Sequence, residues 1–155
     1  MSSTVSAIVA VAGTLLGSSA TYFFQRNATD RQTRAARDER HRSERLSAYA
    51  EFAGIATDLR RAAYDRWHRF QEEPTGNAFI AARDEYHRLY AEARNSQLKL
   101  RLLTRNRSLV ELAYQATECA NEIKDAASAP ERVERGKIAE ATLDNFVEAA
   151  SADLR

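Results

Sequence analysis

The sequence predicts an all-α protein made of an N-terminal single transmembrane helix, a charged helical stalk and an antiparallel three- or four-helix bundle. Residues 1–25 contain no charged side chain, and residues 26–45 are almost entirely polar and rich in arginine. From residue 46 onward, apolar side chains recur at spacings of three or four, which is typical of amphipathic helices. We therefore divide the chain into a transmembrane anchor (1–25), an Arg-rich helical stalk (26–45) and a cytoplasmic helical bundle (46–155).

The length and composition favour one ordinary domain with a short accessory segment. The chain has 155 residues and a formal net charge of +1, so its overall charge does not favour acidic partners. The charge is unevenly distributed, because residues 26–70 are basic and residues 109–155 are acidic. The single cysteine, Cys119, excludes an intramolecular disulfide and fits a reducing compartment.

The N-terminal segment has the length of a membrane span. Residues 5–24 form an apolar stretch of 20 residues, which matches the ~20 needed to cross a bilayer. Arginines crowd only its C-terminal flank, so the positive-inside rule places the bundle in the cytoplasm. We therefore expect a single-pass protein of the bacterial inner (plasma) membrane, with its N-terminus outside. The alternative is a signal peptide cleaved after Ala20, which would leave the same bundle secreted.

Small residues form a stripe along this segment. They recur at alternating spacings of four and three, which places them on one side of a helix, and two of them form a GxxxG motif. Such a stripe lets two helix backbones approach closely, so it predicts self-association into a homo-oligomer. The alternative is chance, because small residues make up about half of the segment. The predicted self-association residues are Ser6, Ala10, Gly13, Gly17 and Ala20.

The stalk carries charges of alternating sign at a spacing of four residues, which stabilises an isolated helix. Its first arginines are candidates for contact with anionic lipid headgroups, although a solvated helix face explains them equally well. A new helix capped by Thr29 with Gln32 is an alternative to a continuous stalk. Nucleic acid is not an expected partner here, because acidic residues lie among the arginines. The candidate lipid-contact residues are Arg26, Arg31, Arg34 and Arg37.

Three breaks divide the bundle into helices. Pro74 ends the first helix and Asn77 is positioned to cap the second, so a short antiparallel hairpin is predicted. Ser108 followed by Glu111 forms a capping box that predicts a second joint, although the helix could also run straight through. Ser128, with a proline in the turn that follows, predicts the start of the last helix.

Apolar periodicity predicts which side chains face the core, among them Leu46 on the first helix and Ile138 on the last. Leu98, Leu100 and Leu102 alternate as they would in a β-strand. Because this run is short and helical patterns flank it, we assign it to a helix.

The sequence contains no catalytic or metal-binding motif. The three histidines do not form a ligand pair at helical spacing, and the few glycines are too far apart for a phosphate loop. Cys119 lies on an apolar stripe and is interpreted as a buried thiol. We therefore expect no enzymatic activity, no catalytic residues, no cofactor and no metal. Among the aromatic residues of the hairpin, Trp67 and Phe70 are candidates for contact with a protein partner.

The order of parts, an uncharged span, an Arg-rich connector and the segment ERLSAYAEF at residues 44–52, resembles small membrane-anchored helical proteins of actinobacteria. The resemblance covers about the first 55 residues. That group has no assigned activity, so the resemblance implies a topology and a source but no mechanism.

These features together predict a membrane-anchored helical interaction or scaffold module that is not an enzyme and that associates with itself. The expected partners are membrane lipid, a second copy of the chain and another protein. Nucleic acid is not an expected partner. Two alternatives remain: a small pore-forming membrane assembly of phage or defence origin, and a helical relay that passes a signal from the span into the bundle.

Overall fold

The structure, a computed structural model, gives the backbone of residues 2–155 and describes the side chains of residues 32–155. Four α-helices follow one another, α1 (Ser2–Glu72), α2 (Asn77–Leu103), α3 (Arg107–Glu122) and α4 (Ala129–Asp153), with a 3₁₀ turn at Ile123–Asp125 after α3. No strand occurs within these bounds, so the predicted all-α class is confirmed. The chain divides into two compact units, Met1–His41 and Arg42–Arg155.

The predicted location in the bacterial inner membrane is wrong. In the described part of the chain, no helix is both long and apolar enough to cross a membrane. The physical reason is that the described helical stretches carry charged side chains every few residues, as expected of helices with one face in water. The small-residue stripe and the alternative cleavage position at Ala20 lie outside the residues whose side chains are described. In the first unit, the described side chains (32–41) are all exposed.

The second unit begins with an antiparallel hairpin. α1 ends at Glu72, two residues before Pro74, and α2 starts at Asn77, as the sequence predicts. Gly76, not Asn77, occupies the N-cap of α2, in an extended conformation and without a side-chain hydrogen bond. A Cβ on Gly76 would meet only the end of the exposed Glu73 side chain, 2.6 Å from its Oε2. The predicted cap at Asn77 is therefore wrong, although the hairpin is confirmed.

The predicted joint between the second and third helices also exists, but a different residue caps it. α2 ends at Leu103, and Asn106 is the N-cap of α3. Oδ1 of Asn106 accepts a hydrogen bond from the amide of Leu109 at 3.2 Å. The predicted capping box starting at Ser108 is wrong, because an asparagine two positions earlier reaches the same first-turn amides from an extended backbone.

The start of α4 agrees with the sequence prediction. Oγ of Ser128 accepts a hydrogen bond from the amide of Glu131 at 3.3 Å. The carboxylate of Glu131 in turn accepts one from the amide of Ala127 at 2.9 Å. The predicted cap is confirmed, and it satisfies amides that the helix itself leaves without acceptors.

The core of the bundle consists of two clusters, one towards each end. Alanine is frequent in both, which lets the helices pack closely around a few large side chains. The first cluster contains Ala48, Tyr49, Phe52, Ala56, Leu100, Leu109, Ala113, Ala116, Phe146 and Ala150. The second contains Leu59, Ala63, Tyr86, Leu89, Ala93, Ala120, Ile123 and Ala139.

Several side chains predicted to face the core, Leu46 and Ile138 among them, are on the surface instead. Leu46 is 56% exposed and Ile138 is 49% exposed. Each follows the three- or four-residue spacing of its helix but lies at the margin of the apolar stripe. The apolar face of a helix can be wider than the area that neighbouring helices cover, so side chains at its margins stay exposed to water.

Candidate functional site

A partly buried carboxylate joins three parts of the bundle at the end where α4 terminates. The carboxylate of Asp153 accepts hydrogen bonds from the hydroxyl of Tyr49 at 2.7 Å and from Nδ2 of Asn106 at 3.1 Å. It also pairs with Nη1 of Arg45 at 3.0 Å. These partners come from α1 and from the α2–α3 connection. Asp153 therefore joins the end of α4 to the start of α3 and to the interior of α1.

The electrostatics of this cluster favour the ionised carboxylate. Burial disfavours ionisation of Asp153, but the hydrogen bonds from Tyr49 and Asn106 and the charge of Arg45 outweigh it and lower its pKa. Burial and the adjacent carboxylate raise the pKa of Tyr49. Both shifts keep Tyr49 a donor and Asp153 an acceptor near neutral pH. The cluster is a structural contact, because its hydrogen bonds hold α4 against α1 and against the α2–α3 connection.

Two of the seven arginines between residues 26 and 45 belong to the same end of the bundle. Nε of Arg42 donates to the carbonyl oxygen of Leu154 at 2.8 Å. Arg45 donates to the backbone and the side chain of Asp153. Arginine side chains commonly satisfy the last carbonyls of a helix in this way, and their charge complements its dipole.

The connection between α2 and α3 lines a shallow, open depression of about 560 Å³. We call it the basic depression, because three of its six lining residues are arginines. One is in the last turn of α2, one is in the connection and one is the first residue of α3. The lining residues are Arg101, Thr104, Arg105, Arg107, Val110 and Glu111.

Three leucines at the same end of the bundle are exposed. Leu98 and Leu102 are one turn apart on the same side of α2, and their side chains are 53% and 88% exposed. The ion pair between Glu51 and Lys99 shows which residues of α1 and α2 are neighbours. Residues before Glu51 therefore lie beside residues after Lys99, which puts the exposed Leu46 at this end. We call Leu98 and Leu102 the leucine patch.

The spacing of leucines in the sequence indicates that two of them lie on the exposed side of α2. The alternation of Leu98, Leu100 and Leu102, in a helix, turns Leu100 to the opposite side from the other two. Leu100 is fully buried, so the outer pair faces water. The assignment of this run to a helix is confirmed, and its strand-like spacing is what exposes the pair.

At the opposite end, Trp67 contributes to the packing of the bundle. Its side chain is 7% exposed, and its indole Nε1 donates to the carbonyl oxygen of Ala126 at 2.7 Å. The guanidinium of Arg132 stacks over its ring at 4.6 Å. Phe70 is 48% exposed and packs against Phe79, with ring centroids 5.4 Å apart. Of the two predicted partner-contact residues, only Phe70 therefore offers substantial surface.

The remaining predicted site residues are less informative. Arg34 and Arg37 are exposed, whereas Arg26, Arg31 and the five residues of the small-residue stripe lie outside the described side chains. Cys119 is half-buried, and its sulfur accepts a contact from the hydroxyl of Thr142 at 3.8 Å. In the described residues, no three His, Cys, Asp or Glu side chains are grouped so that they could hold a metal ion. The absence of a cofactor and of catalysis stays a prediction.

The fold and these surfaces define a class of protein: a small helical bundle whose described exterior carries an apolar patch and a basic depression. The KilB plasmid transfer protein family matches residues 46–154, which are more than half of the chain and lie within the second compact unit. The chain therefore belongs to the KilB plasmid transfer family. Comparison with curated proteins and with solved structures gives no match.

Proposed function

We propose that this chain is a helical interaction module in plasmid transfer, and that it acts by associating with a second copy of itself and not by catalysis. The family supports the biological setting, since its members are described as plasmid transfer proteins. The observation that carries the proposal is the leucine patch. Leu102 has the largest exposed fraction among the large apolar side chains of residues 32–155, at 88%.

The leucine patch has the character of an interaction surface. Single exposed apolar residues are ordinary, but neighbouring ones bordered by polar groups mark contact sites. Leu98 and Leu102 form a short apolar ridge, and the ion pair of Lys99 with Glu51 borders it. Such a ridge is suited to packing against another helix, with polar side chains at the rim.

A second copy of the chain is a suitable partner. A two-fold axis through the patch would pack α2 of one copy against α2 of the other, with Leu98 of each copy near Leu102 of its partner. Antiparallel helices packed in this way bury leucine against leucine, as in a coiled-coil seam. The partly buried carboxylate of Asp153 fits this non-catalytic proposal, because its oxygens are already hydrogen-bonded to Tyr49 and Asn106.

The magnitude follows from the exposed fractions. Full burial of one leucine contributes about 1.5–3 kcal/mol, so burying the exposed parts of Leu98 and Leu102 contributes about 2–4 kcal/mol per copy. Removing that contribution weakens the dimer by on the order of 30-fold or more, at 1.4 kcal/mol per tenfold.

Sedimentation velocity of the full chain over a range of micromolar concentrations tests the proposal. We expect a concentration-dependent dimer for the natural chain and a monomer for Leu98→Gln/Leu102→Gln, since glutamine is a comparable helix former. The matched control is Val133→Gln/Ile138→Gln, which removes two exposed apolar residues from α4 and should leave the dimer intact. Self-association that is absent, or that the α2 variant leaves unchanged, would contradict the proposal.

A further inference from the structure

The basic depression contains an unusual concentration of arginines without acidic partners. The second unit, residues 42–155, has fifteen arginines. Within the described residues, eleven of them are engaged in an ion pair, a hydrogen bond to a helix end or a stack on an aromatic ring. These eleven are Arg42, Arg45, Arg60, Arg61, Arg66, Arg69, Arg83, Arg88, Arg94, Arg132 and Arg135.

The other four include all three arginines of the basic depression. Arg101, Arg105 and Arg107 lie within a stretch of seven residues, and among the described side chains none has an acidic group within 4.0 Å. Glu111 is on the rim, but its carboxylate accepts a hydrogen bond from Gln115 at 3.1 Å instead of pairing with an arginine. Asp153, which contacts the same connection, is paired with Arg45. The positive charge of the depression is therefore not neutralised from within the bundle.

The start of α3 adds to this positive potential. Arg107 is the first residue of α3, whose first turn contains no acidic side chain. The side chain of Asn106 caps the amide of Leu109, which leaves the earlier amides of the turn without an intrahelical acceptor. The positive end of the helix dipole thus coincides with the three guanidinium groups.

We propose that the basic depression binds phosphodiester groups of a nucleic-acid backbone. Guanidinium groups stay charged at any physiological pH and match phosphate oxygens with two parallel hydrogen bonds. Phosphate contacts position a nucleic acid without reading its bases, so binding here is independent of sequence. Because the depression belongs to a single copy of the chain, this binding does not depend on self-association.

The shape of the depression favours a polymer over a small anion. It is open, and Val110 is its only apolar lining residue, so a small ligand would remain largely in water. A nucleic acid does not need an enclosed pocket, because release of its condensed counterions drives the binding of several cations at once. This proposal concerns the α2–α3 connection and departs from the expectation of no nucleic-acid partner, which rested on residues 26–45.

The salt dependence of DNA binding by the full chain tests the number of contacts. The probe is a fluorescent 20-base-pair duplex, and its anisotropy gives the affinity between 50 and 200 mM salt. Three phosphate contacts predict a slope of about −2.7 for the logarithm of the affinity against the logarithm of salt, which is a loss of about 40-fold over that range. The Leu98→Gln/Leu102→Gln variant should keep this slope. The nucleic-acid proposal can therefore fail or succeed independently of the self-association proposal.

The decisive comparison is between two triple variants of equal charge. Arg101→Gln/Arg105→Gln/Arg107→Gln should lose at least about tenfold in affinity at 50 mM salt, with a slope reduced by about 1 for each contact removed. The matched control replaces the exposed, paired Arg61, Arg69 and Arg83 by glutamine and should bind as the natural chain does. Circular dichroism and thermal unfolding confirm that both variants are folded.

Four results would overturn the proposal. The first is the absence of duplex binding at 50 mM salt, and the second is an equal loss in both triple variants, which would indicate a general charge effect. The third is competition by 10 mM inorganic phosphate at constant ionic strength that abolishes DNA binding, which would identify a small-anion site. Binding that depends on the three arginines for phosphatidylglycerol vesicles but not for DNA would likewise refute it.

Discussion

Gly136 lies in the middle of α4, where Tyr64 of α1 approaches its backbone closely. A Cβ built at this position would lie 1.5 Å from the hydroxyl oxygen of Tyr64 and 2.5 Å from its Cζ. Both distances are far inside van der Waals contact, so Gly136→Ala must displace the tyrosine ring. That ring packs under the guanidinium of Arg132, 5.3 Å from its centroid. The substitution therefore disturbs packing between α1 and α4.

The sign of the effect depends on two opposing contributions. Alanine in a helix interior is favoured over glycine by about 1 kcal/mol. Overpacking a closely fitted site costs about 1–3 kcal/mol, and loss of the stack on Tyr64 adds about 0.5–1 kcal/mol. We expect Gly136→Ala to lower the free energy of unfolding by about 1–2 kcal/mol, which corresponds to a melting temperature lower by about 2–8 °C.

Gly54 provides the matched control, because a Cβ there would meet nothing within 4 Å. Gly54→Ala, in the exposed middle of α1, should raise the free energy of unfolding by about 0.5–1 kcal/mol. Urea unfolding followed by circular dichroism measures both. A double-mutant cycle isolates the clash, since Gly136→Ala should become stabilising when Tyr64 is replaced by alanine. If Gly136→Ala stabilises the natural chain as much as Gly54→Ala does, the reasoning is wrong.

Two further predictions concern hydrogen-bonded polar side chains inside the bundle. Asp153 has a lowered pKa in the folded state, so its contribution to stability is present above the unfolded value of ~3.9 and is lost as the pH falls through the folded value. The difference in urea midpoint between the natural chain and Asp153→Asn should be clear at pH 7 and shrink by pH 3, and an unchanged gap would contradict this. Thr117, fully buried, accepts a hydrogen bond from Gln97 at 2.5 Å and donates to Ala113 at 3.1 Å. Thr117→Val should cost about 1–2 kcal/mol in urea unfolding, because it removes one of the two hydrogen bonds that Nε2 of Gln97 donates in the core. Gln97→Leu should recover part of that loss, because it removes the N–H that the first substitution leaves unpaired.

The fold class and the helix boundaries could be predicted from the sequence because they depend on local features. Apolar periodicity identified every helix of the bundle, and the proline after Glu72 and the capping box at Ser128 marked two breaks correctly. Caps were predicted less well, since Gly76 and Asn106 took the places expected of Asn77 and Ser108. Several nearby residues can cap a helix, and the packing of the connection selects among them.

The predicted inner-membrane location did not survive comparison with the described helices, which offer no stretch able to cross a membrane. That prediction depended on the uncharged segment at residues 1–25 and on the arginine-rich flank that follows it. The candidate interaction surfaces lie elsewhere, on α2 and at the start of α3.

By itself, the sequence determined that the chain folds into helices and roughly where each begins, because helical periodicity and capping act over a few residues. Only the tertiary structure decided which charged and apolar side chains find a partner and which remain exposed without one. Asp153 forms an ion pair with Arg45, 108 positions away, and Tyr64 packs closely against Gly136. Arg101 and Leu102, in contrast, have no partner among the described side chains. Such pairings join residues distant in the chain, so they follow from how the helices pack and not from any local pattern.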